Sequence, residues 1–190
     1  MKIACIQGSP RTRSCSSAIA ERFCTAARAL GAEISTFRLA ALSYSGCIAC
    51  MRCKTDSEKC VLEDDLAGVL QAIYDADVLV MSSPVYFGEV CAQLKGCIDR
   101  TFSFLAPGFK DGGESSRLSP GRTFVMALTQ GDPNEASFSD IFPRYSTFYK
   151  WYGYDYAHVI RACGVDDPDS DTMQPALAQA NELAAQLVGA

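Results

Sequence analysis

Short apolar runs alternate with segments of helical spacing along the whole chain, and few folds accept that order. Lys2–Gln7 reads as a strand, and Ser14–Leu30 as a helix with Ile19, Phe23, Ala26, Ala27 and Leu30 on one face and Gly31 closing it. Glu33–Leu39 reads as the next strand. Asp64 and Asp65 then open a helix through Leu66, Val69, Leu70 and Ile73, at the end where the helix dipole favours acidic residues. Asp77–Ser82 carries Val78-Leu79-Val80-Met81 without a polar break, the pattern of a parallel strand buried on both faces. A helix over Glu89–Phe104, a strand at Arg122–Thr129, a helix near Asn134–Trp151, a strand at Tyr154–Ala162 and a helix from Thr172 complete the series. Five strands alternating with five helices predict an α/β fold: a doubly wound five-stranded parallel sheet with helices on both faces, joined by right-handed crossovers.

The 190 residues suffice for one well-buried domain over 1–190, and no Pro/Gly/Ser-rich linker divides them. No apolar run reaches the roughly 18 residues that a membrane span requires. The strand pattern at Lys2 leaves no room for a signal peptide. A net charge of −5 argues against nucleic acid or an anionic membrane as the main partner. Ten cysteines without an export signal point to a reducing, cytoplasmic setting, where thiols serve as ligands more readily than as staples.

Four of those cysteines, Cys47, Cys50, Cys53 and Cys60, are spaced C-x2-C-x2-C-x6-C inside a loop at 46–61. At the chain's cysteine density such a window should hold about 0.7 by chance, so the clustering needs a cause. The spacing suits an iron–sulfur cluster. Four thiolates also make a closed zinc site, and reduced thiols or disulfides are a third possibility. Lys54 and Lys59 stand where they would offset thiolate charge. Cys5, Cys24, Cys97 and Cys163 lie in apolar contexts and read as small core residues, and Cys91 as a packing residue.

In doubly wound sheets, ligands sit beyond the carboxyl ends of the strands, where the strand order reverses. The loop after the first strand, Gly8 to Ser17, lacks both the nucleoside-triphosphate and the dinucleotide glycine patterns. It offers hydroxyls, two arginines and the N–H groups of a helix start, which suit one terminal phosphate; the alternative is an ordinary N-cap at Ser14 with solvated arginines. The loop after the third strand, Ser83-Pro84-Val85-Tyr86-Phe87-Gly88, places aromatics and a glycine where a flat ring needs an apolar wall and close backbone approach. The next, Thr129-Gln130-Gly131-Asp132, offers a hydroxyl, an amide and open backbone.

Gly8-Ser9-Pro10-Arg11, then Ser82-Ser83-Pro84-Val85-Tyr86-Phe87-Gly88, then Ala92-Gln93-Leu94-Lys95 and Ile98-Asp99-Arg100, resemble the flavodoxin-like NAD(P)H-dependent FMN reductase family. With the cysteine run, the chain resembles that family's iron–sulfur flavoprotein branch, whose compact cysteine motif holds a 4Fe–4S cluster beside FMN. The resemblance implies strand order 2-1-3-4-5, FMN at the switch point, and homodimers or homotetramers. It implies Ser9, Arg11, Ser16 and Ser17 near the FMN phosphate. Pro84, Val85, Tyr86, Phe87 and Gly88 are implied along the isoalloxazine; Thr129 and Gly131 are expected at the cofactor from their place in the loop after the fourth strand. The resemblance also implies that Cys47, Cys50, Cys53 and Cys60 hold the cluster, at the same sheet end as the flavin. Where the family often shows Gly-Asn-Thr this chain has Ser14-Cys15-Ser16, keeping a hydroxyl and losing an amide.

Three functions are compatible with this reading. One is an oxidoreductase moving electrons between FMN, a 4Fe–4S cluster and an outside partner, with NAD(P)H or a ferredoxin-type protein as donor. The second is a cluster-free NAD(P)H-dependent reductase of flavin, quinone or another small acceptor. The third is a non-enzymatic flavodoxin-like carrier. No side chain has to act as general acid or base in any of them. His158, the only histidine, reads as a core or edge residue of the last strand. The aromatic string from Phe138 to Tyr152 reads as core and subunit interface. Ala106–Pro120 reads as a long loop, either a lid near the flavin or disordered.

Overall fold

Val78-Leu79-Val80-Met81 does lie at the centre of the sheet. In the computed structural model, which describes residues 1–111 and 115–189, β3 (Val78–Tyr86) is flanked by β1 (Lys2–Gln7) and β5 (Arg122–Gln130). β2 (Glu33–Arg38) and β6 (Tyr154–Cys163) form the edges, giving the order β2-β1-β3-β5-β6 with every neighbouring pair parallel. This is the expected order with one addition: a two-residue strand β4 (Glu89–Val90) pairs antiparallel with the end of β3.

Alternation along the strands supplies one face to each helical layer. Ile3, Cys5, Val78, Val80, Val125 and Ala127 pack under α1 (Cys15–Ala29) and α6 (Gln174–Val188), against Ile19, Phe23 and Leu177. Ala4, Ile6, Leu79, Met81, Phe124 and Met126 pack against α3 (Leu66–Asp75), α4 (Ala92–Arg100) and α5 (Ile141–Trp151). Phe23 is wholly buried, and enclosing a side chain of that size contributes about 2–3 kcal/mol. Phe124 stacks on Tyr149 at 4.3 Å between centroids and meets Tyr154 edge-on at 6.3 Å, so much of the aromatic string is core. Phe148 and Trp151, on the outer side of α5, remain exposed.

The helix expected from Glu89 begins later, at Ala92, because the chain first folds back as β4. The helix expected from Asn134 likewise starts only at Ile141. A four-residue helix α2 (Arg52–Thr55) stands inside the cysteine loop. Part of the long loop at Ala106–Pro120 lies outside the described residues. Its flanks are pinned by an isolated bridge between Leu105 and Ser116 and by the Arg117 N–H donating to the Phe104 carbonyl at 2.8 Å. Cys5, Cys24, Cys91 and Cys97 are buried, Cys163 is half-buried, and burial pushes the Cys97 thiol up to about 12. His158, half-buried on the edge strand β6, has its pKa lowered by burial. No helix among the described residues is long and apolar enough to cross a membrane.

Candidate functional site

The chain leaves β1 through Gly8, which sits against β3 and the start of α4. A Cβ at Gly8 would fall 2.7 Å from Leu94 Cβ, 3.0 Å from Cys91 Sγ and 3.0 Å from the Ser82 carbonyl oxygen. The Gly8 N–H donates to that carbonyl at 2.8 Å, and the Cys91 thiol donates to the Gly8 carbonyl at 3.1 Å. Cys91, read from sequence as packing, thus also fixes the origin of the first loop.

That loop ends in α1 with its donors free. Ser14, the N-cap, is extended at φ −145° yet makes no side-chain capping bond, and the first turn carries no acidic residue. Ser9, Ser16 and Ser17 are buried there, with Ser14 Oγ and Ser16 Oγ 3.1 Å apart. Midway along β3, level with Gln7 where β1 ends, Ser82 faces the same layer; its hydroxyl is fully buried and has no hydrogen-bond partner among the described residues. A buried orphan hydroxyl beside an uncapped, positively polarised helix start fits a bound anion. The two arginines part company. Arg13 pairs with Asp169 and, at 3.5 Å, with Asp167 in the loop after β6. Arg11 is exposed, and its guanidinium has no ion pair among the described residues.

The second loop is a hairpin. Val85 pairs with Val90 and Tyr86 with Glu89, and Phe87 (φ 50°) and Gly88 (φ 76°) make the turn in left-handed backbone. Glycine adopts that conformation freely, whereas phenylalanine is strained in it, a condition that clusters at functional sites. The Phe87 side chain is fully exposed, Tyr86 is exposed, and Pro84 and Val85 are half-buried below them. Glu89 accepts from Tyr145 Oη and Arg144 Nη1, both at 3.0 Å, which ties the hairpin to α5. Burial, with Glu89 beside it, raises the Tyr145 pKa. In the third loop Thr129 is buried and Gly131 exposed. Gln130 Nε2 donates to the Asp132 carbonyl at 2.9 Å and the Asn134 carbonyl at 3.0 Å, and Arg161 donates to Gln130 Oε1 at 2.5 Å. All three loops therefore stand at the carboxyl ends of adjacent strands and are stiffened from outside. Ser82, Cys91, Glu89 and Arg161 are supports to which residue-by-residue reading gave no such role; Ser82, Glu89 and Cys91 lie in or beside the quoted motifs, and only Arg161 lies away from them.

The cysteine loop leaves β2 and follows α4. Tyr44 Oη donates to the Gln93 carbonyl at 2.6 Å, and burial pushes its pKa up to about 12. Ala49 (φ 52°) and Met51 (φ 58°) then bend the chain sharply. Cys47, Cys50, Cys53 and Cys60 all line one recess floored by Leu62, Arg100 and Phe102. The first two are exposed, the second two half-buried, and all are free thiols. Donors face three of the sulfurs: the Ala49 N–H at 3.4 Å from Cys47, Lys54 Nζ at 3.4 Å from Cys53, and Arg100 Nε at 3.0 Å from Cys60. Lys59 turns instead to Gln71, at 3.2 Å. Among the described residues, no three His, Cys, Asp or Glu side chains gather closely enough to hold a single metal ion.

One expectation is corrected by this placement. Lys54 Nζ donates to the Phe102 and Leu105 carbonyls at 2.6 and 2.8 Å, beyond the end of α4, whereas Gly8 and Ser83 meet its start at Cys91. The nine residues of α4 make a rod of about 13 Å, so the cysteines and the phosphate-type loop occupy opposite ends of it. The loop follows β2 in sequence, yet packing carries it back along α4. The long loop reaches this end through Arg117, whose Nη2 donates to the Cys53 carbonyl at 2.9 Å, while its Phe109, Lys110 and Ser115 line one pocket with Glu89 of the hairpin.

Comparison with known proteins agrees with the architecture. An iron–sulfur flavoprotein of Methanocaldococcus jannaschii is 37% identical over 101 residues, covering 53% of this chain and 52% of that protein. One from Methanosarcina thermophila is 34% identical over 101 residues, covering 53% of this chain and 52% of that protein. The chain thus spans about half the length of these curated relatives. An FMN-dependent NADH-azoreductase from Bacillus anthracis, solved with FMN, superposes with a TM-score of 0.76 at 17% identity, covering 99% of this chain and 100% of that one. An NAD(P)H:quinone oxidoreductase from Methanothermobacter marburgensis gives 0.73 at 17% identity, covering 98% and 96%. At such identity the likeness is one of fold. The family model described as flavodoxin-like fold matches residues 1–187, nearly the entire sheet and both helical layers, and the chain belongs to that family.

Proposed function

We propose that this chain is an FMN-dependent oxidoreductase that takes electrons from NAD(P)H or a ferredoxin-type donor and delivers them to a small acceptor such as a quinone. The observation that carries the reading is the open start of α1, with buried hydroxyls, the orphan Ser82 Oγ and no competing acid. Ser9, Ser16, Ser17 and Arg11 would hold the FMN phosphate there. Pro84, Val85 and Gly88 would back the ring, Tyr86 and Phe87 would keep water from it, and Thr129 and Gly131 would meet its far edge. FMN, when bound, supplies hydride acceptance and single-electron release. The solved relative bound to FMN supports the choice of cofactor.

A 4Fe–4S cluster on Cys47, Cys50, Cys53 and Cys60 is part of the proposal. The relatives' names support it, and so do four thiols round one recess with N–H donors aimed at their sulfurs. Thiols spread about a recess suit a multi-iron group better than zinc, whose four sulfurs crowd within about 2.3 Å of one ion. We place the protein in the cytoplasm, where such thiols stay reduced. Exposed Phe87, Phe148 and Trp151 support a homodimer or homotetramer; light scattering that returns the 20.5 kDa monomer at micromolar concentration would refute it.

Two measurements test the reading. Arg11→Ala is expected to weaken FMN binding by about 1–3 kcal/mol, through loss of a charge-assisted contact; unchanged affinity in a fluorescence titration removes Arg11 from the site. Mixing FMN-loaded protein anaerobically with NADH or NADPH should bleach the flavin at roughly 1 per second or faster. Tight FMN binding with no bleaching by either nucleotide would remove NAD(P)H as donor, and no quinone turnover with reduced ferredoxin as well would make the chain a flavodoxin-like carrier.

A further inference from the structure

Arg100 is the largest fully enclosed side chain among the described residues, and it sits at the neck of the cysteine loop. Nε donates to Cys60 Sγ at 3.0 Å. Nη1 donates to the Ser45 carbonyl at 3.0 Å and to Asp64 Oδ2 at 2.8 Å. Nη2 donates to the Leu62 carbonyl at 3.2 Å and to Asp64 Oδ1 at 3.2 Å. A guanidinium has five N–H donors, and these bonds use all of them. Ser45 lies just before the loop, and Leu62 and Asp64 lie just after it, so one planar group holds both ends together. Asp64 is fixed in turn by the N–H groups of Ser45 at 3.2 Å and Leu66 at 3.1 Å. Burial alone would raise the Asp64 pKa; the hydrogen bonds and charge of Arg100 together with the Ser45 and Leu66 N–H groups outweigh it, and its carboxyl stays below the usual range.

The four sulfurs are therefore unequal. Cys60 faces Arg100 and Cys53 faces Lys54, while Cys47 has only a backbone N–H and Cys50 has no donor among the described residues. A buried cation requires an opposite charge and filled hydrogen bonds, and a lysine with a single donor point cannot span this set. Building on the reading of the loop as a cluster holder, we propose that Arg100 is the positioning residue of that site. It closes the loop's neck before any iron binds and presents Cys60 as a sulfur already accepting an N–H bond. Such a bond and its charge favour the more negative, reduced form of a thiolate-bound cluster, so Arg100 holds its reduction potential up.

The test uses the full chain, reconstituted anaerobically with ferrous iron and sulfide, as wild type, Arg100→Lys and Arg100→Gln. Wild type is expected to take up roughly four irons per chain. Arg100→Gln should take up less than half as much, and its residual cluster should have a more negative midpoint potential. Arg100→Lys, which keeps charge without the fork, should fall between them on both readouts and decides the matter if Arg100→Gln does not fold. In iron-free protein, trypsin should cut after Arg52, Lys54 or Lys59 about tenfold faster in Arg100→Gln, as the unclamped loop opens. FMN affinity, which does not involve Arg100, should be unchanged in every folded variant. Wild-type iron, potential and cleavage in both variants would overturn the proposal while leaving the cluster reading intact. Lost iron with an unshifted potential would reduce Arg100 to a structural clamp and overturn it too. A wild type that binds no iron would sink the cluster reading and this role with it.

Discussion

Alanine at position 8 is expected to lower FMN affinity by about a hundredfold and to destabilise the fold by about 2–3 kcal/mol. The added methyl has nowhere to go. Leu94 Cβ at 2.7 Å moves only with α4, and the Ser82 carbonyl at 3.0 Å belongs to the central strand. Relief must come from the loop itself, which shifts Ser9 and the start of α1 away from Ser82 and breaks the 2.8 Å bond from the Gly8 N–H. Gly68 provides the control. It lies exposed inside α3, a Cβ there would meet nothing within 4 Å, and Gly68→Ala should stabilise by about 0.5–1 kcal/mol. Urea unfolding and FMN titration on both variants check the pair; near-wild-type behaviour of Gly8→Ala would show that the first loop has slack.

The second large effect is expected at Phe124. Its ring is fully buried, stacks on Tyr149 at 4.3 Å and Phe142 at 6.5 Å, and meets Tyr154 at 6.3 Å. Phe124→Ala removes the centre of this aromatic stack and should destabilise by about 3–5 kcal/mol, because rings anchored on α5 and β6 cannot all collapse into the space. Urea denaturation measures it. A loss under about 1.5 kcal/mol would mean that the stack repacks and that α5 is looser than its contacts imply.

The sheet was legible in the sequence because its signals are local and periodic. Val78–Met81 could only be a central strand, and the alternating elements left one plausible winding. The hairpin was not legible. Pro84 reads against a continuing strand, Glu89 reads as a helix start, and the turn rests on a left-handed Phe87 that no propensity favours. At the site, the order Gly8, Ser82–Gly88 and Thr129–Gly131 along the chain maps directly onto neighbouring strand ends, so those loops were found together. The cysteines illustrate the converse. Their spacing is visible as text, but their place in space is decided by Tyr44, Lys54 and Arg100, which bind the loop to a helix far along the chain. Long-range polar contacts of this kind have no period, and sequence reading set the thiols at the sheet end of the flavin-type loops.

That separation along α4 has a further consequence. The thiols depend on Arg100, Asp64, Lys54 and Arg117, whereas the phosphate-type loop depends on Gly8, Ser82 and Cys91, and the two sets share no side chain. Damage is thereby quarantined: oxidant reaching exposed Cys47 and Cys50 can ruin one centre while the other keeps its shape. Oxidation of these thiols is therefore expected to leave the three strand-end loops in their native shape.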